Sequence, residues 1–232
     1  MAKSESKKVD GSVWTIVVAG GSGRRFGSLK QYAELDGRRV VDLAVETARQ
    51  CSDGVVLVVP AEDAAHEQGV AGGPTRTASV RNGLAAVPAD ATVILVHDAA
   101  RPFASADLYR SVIGAVRQGA DGSVPGLPVT DTVKTIEVVE ASTLGLSSSG
   151  AVPRVTGTPD RATLVAVQTP QAFRADVLRR AYLTEVDATD DAALVESIGG
   201  TVVVVPGEVD NRKITHPEDL DWARAFLKQG SR

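Results

Sequence analysis

The apolar run Trp14-Thr15-Ile16-Val17-Val18 breaks directly into Ala19-Gly20-Gly21-Ser22-Gly23-Arg24-Arg25-Phe26-Gly27, and Lys30-Gln31-Tyr32 follows. The run is short, continuous and β-branched, which predicts a strand buried on both faces. Glycines at positions 20, 21 and 23 let the backbone turn sharply and bring its N–H groups close to a ligand. Arg24, Arg25 and Lys30 add positive charge beyond the same strand. A glycine-rich turn with clustered cations suits the phosphates of a nucleoside triphosphate. Two familiar phosphate loops do not fit. The P-loop needs Gly-Lys and then Ser or Thr, where this chain has Gly23-Arg24-Arg25. The dinucleotide fingerprint needs a third Gly or Ala, where this chain has Phe26.

Strand and helix patterns alternate along the rest of the chain. Apolar runs over Val55–Val59, Thr92–Val96, Gly122–Val129 and Thr201–Val205 predict strands. Helical spacing predicts helices over Val40–Cys51, near Thr77–Val87, over Ala106–Arg117 with Ser105 as cap, and over Pro217–Lys228 with His216 or Thr215 as cap. This alternation implies an α/β fold with a mostly parallel sheet flanked by helices. The apolar residues are chiefly Val, Ala and Leu, as such a sheet requires. Aromatics make up only 4 % of the chain and the net charge is −4, which argues against nucleic-acid partners. The lone Cys51 excludes an intramolecular disulfide and a cysteine metal site. Residues 1–12 are polar and read as a disordered tail, not a signal peptide. No run reaches transmembrane length, so a cytoplasmic protein without a membrane partner is expected. Residues 13–232 are expected to form a single domain.

One segment breaks the rhythm. Residues 131–161 are β-prone at first, then Ser- and Gly-rich, then extended again, and no helical pattern fits them. They predict a hairpin-like arm projecting from the sheet.

Three further clusters carry chemistry. Val96-His97-Asp98-Ala99-Ala100-Arg101-Pro102 ends a strand, where ligands of open α/β sheets bind. Asp98 there suits a divalent cation or ribose hydroxyls, while His97 reads as a structural histidine. Gly72-Gly73 precede a turn and then a helix, with Ser79 within its first turn. They read either as a flat platform for a base, its edge met by the Ser79 hydroxyl, or as an ordinary turn with a cap. Asp210-Asn211-Arg212-Lys213 follows the last strand, with a carboxylate for a metal and an amine for phosphate. No Ser/His/Asp triad, histidine metal pair or cysteine nucleophile accompanies them. That inventory suits phosphoryl chemistry in which the substrate brings its own nucleophile.

The motifs AGGSGRRFG…KQY, GG..R..SV.NGL, VHDAARPF, DTVK, VQTPQAF, TDDAALVE and DNRKIT occur here in one order. The series resembles the 2-C-methyl-D-erythritol 4-phosphate cytidylyltransferase family of the non-mevalonate isoprenoid pathway, over about residues 13–228. The resemblance implies a Rossmann-like nucleotidyltransferase fold with a protruding β-arm. It implies that CTP and methylerythritol 4-phosphate give 4-diphosphocytidyl-2-C-methyl-D-erythritol and pyrophosphate, with Mg²⁺. By motif, Arg25 and Lys30 would stabilise the transition state. Ala19, Gly20, Gly21 and Gly23 would line the triphosphate, and Gly73 and Ser79 would help select cytosine. Asp98, with Ala99 beside it, would meet ribose or Mg²⁺, and Asp210 would lie near the metal. Thr132, Arg161 and Lys213 would hold the polyol phosphate. The resemblance also implies a homodimer whose 131–161 arms embrace, with Thr132 and Arg161 serving the partner's site. The chain departs from the family at Gly20, where Ala is usual, and in its short Phe26–Lys30 spacer. Pro74-Thr75 replaces a commonly acidic turn, and the arm is longer near Ser142–Val155. The Gly20 variant leaves a ribitol 5-phosphate cytidylyltransferase as the nearest alternative.

Overall fold

A computed structural model of the chain describes residues 10–21, 29–147, 150–184 and 188–230. In chain order the elements are β1 (Val13–Val18), β2 (Glu34–Leu35), β3 (Arg38–Arg39), α1 (Val40–Cys51), β4 (Gly54–Val59) and β5 (Val70–Ala71). Then come α2 (Arg76–Ala86), β6 (Val93–Asp98), α3 (Ala106–Arg117), β7 (Gly122–Pro128), β8 (Thr135–Glu140) and β9 (Ala151–Gly157). The last are β10 (Val165–Val167), β11 (Gln171–Arg174), α4 (Ala175–Ala181), α5 (Asp191–Ser197), β12 (Val202–Pro206) and α6 (Asp219–Gly230).

An eight-stranded sheet with the order β10-β7-β11-β6-β1-β4-β5 forms the centre, and β12 adds to β7. Successive strand residues point to opposite faces, so the continuous apolar runs feed two cores. Ile16, Val56, Val58, Ile94 and Val96 face α2, α4 and α5. Val13, Val17, Val93 and Leu95 face α1 and α3. Each fully buried Val, Leu or Ile contributes roughly 1.5–3 kcal/mol, which is why these runs, rather than helix propensity, hold the layers together. The helices begin where capping groups stand. Thr75, Ser105 and Asp190 accept from the backbone N–H three residues on, at 3.1, 3.1 and 3.0 Å.

The sheet is mixed, with parallel ladders predominating, in keeping with the expected mostly parallel sheet flanked by helices. The β1–β4, β1–β6, β4–β5 and β7–β12 ladders are parallel. The β7–β10, β7–β11 and β6–β11 ladders are antiparallel. A parallel neighbour needs a crossover, usually a helix. Between β7 and β10 the chain makes the arm instead, and it returns in the opposite direction. The arm is the expected hairpin: β8 pairs antiparallel with β9, with a register shift between Thr135 and Ile136. Two corrections concern boundaries. The Ser12 carbonyl accepts the N–H groups of Thr92 and Val93, so the fold begins before Val13. The last helix starts at Asp219 rather than Pro217, because the Asp219 carboxylate accepts the N–H groups of Thr215 and His216 at 2.7 and 2.9 Å and holds the preceding residues in a turn. Among the described residues no helix is long and apolar enough to cross a membrane.

Candidate active site

The parallel strands β4, β1 and β6 end on the same side of the sheet, and their loops are tied to each other there. Ala19 N–H donates to Val58 O at 2.7 Å, Gly72 N–H to Val59 O at 2.7 Å, and Ala99 N–H to Val18 O at 3.0 Å. These ties frame a crevice of about 460 Å³. Ala19, Gly20, Gly21, Lys30, Gly73, Ser79, Asp98, Ala99 and Lys213, all expected at the site, line it. Gly23 and Arg25 lie outside the described residues.

One wall is the Gly72-Gly73 turn and the start of α2. A Cβ at Gly73 would stand 2.5 Å from the Ala78 Cβ, so no side chain fits there. The Ser79 hydroxyl accepts Gly73 N–H at 3.0 Å and donates to Thr75 O at 3.0 Å. Thr75 is the helix cap. The segment is therefore a capped turn and a flat wall at once, and Ser79 fixes the wall's shape. At Gly20 a Cβ would meet the Ser79 Oγ at 3.5 Å, an ordinary contact, so the crevice has room for the Ala usual in the resembled family.

Charge converges on Asp98. Its side chain is 13 % exposed and takes Lys213 Nζ at 2.6 Å and Arg76 Nε at 3.4 Å. Burial alone would raise its pKa, but the charges of Arg76 and Lys213 override this and hold the carboxyl well below the usual range. Arg76 also reaches the fully buried Asp191 at 2.7 Å. Behind Asp98, its N–H donates to Thr169 Oγ1 at 3.0 Å, and that hydroxyl lies 3.1 Å from His97 Nδ1. His97 Nε2 meets the Arg101 carbonyl at 3.1 Å. A carbonyl only accepts, so Nε2 carries the proton and Thr169 donates to Nδ1. Burial pushes the His97 pKa down to about 4, in keeping with a neutral structural ring. Lys30 Nζ donates to Ile214 O at 2.9 Å, and Lys30 lines the crevice with Lys213.

A family model described as IspD, 2-C-methyl-D-erythritol 4-phosphate cytidylyltransferase, matches residues 13–229 of the chain. The chain belongs to the IspD family. The enzyme of that name from Nocardia farcinica is 44 % identical over 232 residues, covering 94 % of this chain and 95 % of that protein. A bifunctional IspD/IspF enzyme from Anaeromyxobacter dehalogenans is 46 % identical over 231 residues, but the chain spans only 56 % of its length. Among solved structures, the 4-diphosphocytidyl-2C-methyl-D-erythritol synthase of Anaerococcus prevotii superposes with a TM-score of 0.77 at 30 % identity, covering 94 % of this chain and 98 % of that one. The Thermus thermophilus cytidylyltransferase gives a TM-score of 0.73 at 30 % identity, covering 92 % and 98 %. These relatives share the Rossmann-like nucleotidyltransferase fold described above.

The remaining expected residues of this IspD chain lie apart from the crevice lining. Thr132 and Arg161 are exposed at the base of the arm, where Arg161 Nη1 donates to Thr130 O at 2.6 Å. Asp210 is exposed in the turn after β12. Three residues met in the sequence without a site role now have a place in the structure. Arg76 links Asp98 to Asp191, Thr169 supports the Asp98 backbone, and Gln31 lines the crevice. Each stands inside a motif quoted for the family, which was the one available signal.

Proposed function

We propose that the crevice binds CTP with its triphosphate against the Ala19–Gly21 turn and Lys30, its base against Gly72-Gly73, and its ribose toward Asp98. The chain catalyses transfer of CMP from CTP to 2-C-methyl-D-erythritol 4-phosphate. A phosphate oxygen of the polyol attacks the α-phosphorus, the bond to the bridging oxygen breaks, and pyrophosphate leaves. The observation that carries this is the meeting of Lys30, the glycine turn, Asp98 and Lys213 at the ends of three strands. Lys30 stabilises the charge that builds at the reacting phosphorus, and Arg25 shares that role. Lys213 exchanges its Asp98 partner for the polyol phosphate.

The site suits Mg²⁺ in a limited way. Asp98 is an ionised carboxylate facing the crevice, and Mg²⁺ needs only one or two such groups beside phosphate and water. Among the described residues no group of three or more His, Cys, Asp or Glu is placed to hold a metal, and nucleotide phosphate and water would complete the shell of an ion held by Asp98. When bound, the ion neutralises phosphate charge; Asp98 would hold it, with Asp210 as the second candidate.

The arm supports a homodimer. Ile136, Val138 and Val155 are 57, 70 and 56 % exposed on it, apolar surface that a second copy would cover. Thr132 and Arg161 would then reach the partner's polyol site. The enzyme works in the cytoplasm on small soluble substrates. A substrate panel with CTP and Mg²⁺, read by pyrophosphate release and product mass, tests the assignment. Methylerythritol phosphate is the expected acceptor; turnover of ribitol 5-phosphate alone would overturn it.

A further inference from the structure

Gln31 lines the crevice, is 3 % exposed, and its Nε2 has no hydrogen-bond partner among the described residues. Of the buried side-chain polar atoms left unpaired there, it is the one belonging to a crevice residue. A buried amide nitrogen without a partner costs free energy. The turn that carries it is tied down on both sides. Lys30 Nζ donates to Ile214 O at 2.9 Å, and the Tyr32 hydroxyl donates to Asp63 at 2.8 Å. Tyr32 N–H closes the turn on Leu29 O at 3.0 Å, and the Ala33 carbonyl accepts Val40 N–H at 3.0 Å. The turn that carries Gln31 is therefore held in place by its neighbours.

An amide nitrogen needs an acceptor. Lys30 stands beside it, and the Ala19–Gly21 turn lines the same crevice. Both are groups that attract anionic oxygens. We propose that the Gln31 amide recognises substrate, donating to a phosphate oxygen, in the first place one of the β- or γ-phosphates of the nucleotide. This rests on the CTP reading of the crevice. A neutral donor there adds direction to the charge of Lys30 without adding charge.

The test is Gln31→Met, which keeps length and shape and removes the donor. Titration calorimetry with CTP and with CMP, the KM for the polyol phosphate, and thermal unfolding of the ligand-free protein are compared with wild type. The expected result is a CTP Kd raised about tenfold, the size of one hydrogen bond to a charged group, with CMP binding unchanged. The unfolding midpoint stays level or rises, because an unsatisfied group has gone. A defect confined to the polyol KM would assign the amide to that phosphate instead. Unchanged CTP affinity together with unchanged polyol KM overturns the proposal. Gln31→Glu serves as a second variant: it keeps the size and presents only acceptors, so CTP affinity falls further, and affinity equal to wild type also overturns it. Failure of the wild-type chain to bind CTP would overturn the cytidylyl-transfer assignment, and it is read in the same titration.

Discussion

Replacing Asp191 by Asn probes the buried end of the Arg76 bridge. Asp191 is fully buried at the start of α5, accepts Arg76 Nη2 at 2.7 Å through one oxygen and takes the Tyr182 hydroxyl on the other. The variant keeps the shape and removes the charge. Breaking a buried ion pair from one side costs about 3–5 kcal/mol, because the other charge stays behind. Arg76 keeps 26 % of its side chain in solvent and a longer contact to Asp98 at 3.4 Å, which together place the cost near about 3 kcal/mol, the lower end. In a domain of this size that lowers the melting midpoint by roughly 6–12 °C. Urea and thermal unfolding of wild type, Asp191→Asn, Arg76→Met and the double variant measure it. The double variant should be less destabilised than the sum of the singles by at least about 1 kcal/mol. A single variant within about 0.5 kcal/mol of wild type, or strict additivity, would refute the bridge.

Two further outcomes are expected. The His97 ring takes a proton near pH 6.5 when unfolded but near 4 when folded, so its contribution is complete above pH 6.5. It declines as pH falls from 6.5 toward 4, reaching a loss of about 3 kcal/mol, and urea melts of wild type against His97→Gln with equal pH slopes over that window would contradict it. Lys30→Ala should lower turnover about 10²–10³-fold, far more than it lowers CTP affinity. Random mixing of Lys30→Ala with Arg161→Ala subunits should restore about a quarter of wild-type activity, since half the dimers are mixed and each has one intact site; verified mixed dimers without recovery would exclude a shared site.

The strands and helices of the two cores were legible because their signal is local. Val40–Cys51 and Ala106–Arg117 show their buried stripes within three turns, and Ser105 marks the start of the second. The β11 strand was not legible. Gln171–Arg174 is four residues long, follows Pro170, and owes its strand form to the edges of β6 and β7 that it fills. The antiparallel step in the sheet follows from that same insertion, so it could not be read from periodicity either.

The site divides along the same line. Glycine turns at strand ends, and charges just beyond them, announce themselves in a window of ten residues, and that is how Ala19–Gly21, Lys30, Asp98 and Lys213 were found. What holds them lies far away in the chain. Arg76 meets Asp191 across 115 residues, and Asp98 meets Thr169 across 71. A threonine before a proline or an aspartate at a helix start has a sufficient local explanation as a turn or cap, so nothing local singles out its longer-range role. Asp190 and Asp191 make the point side by side: the first caps α5 through Ala193 N–H, while the second turns inward and anchors the crevice arginine. Asp190 also takes Gln171 Nε2 at 3.1 Å, but it is Asp191 that reaches the crevice arginine, on the side where the packing of α5 against α4 sets Tyr182 against it.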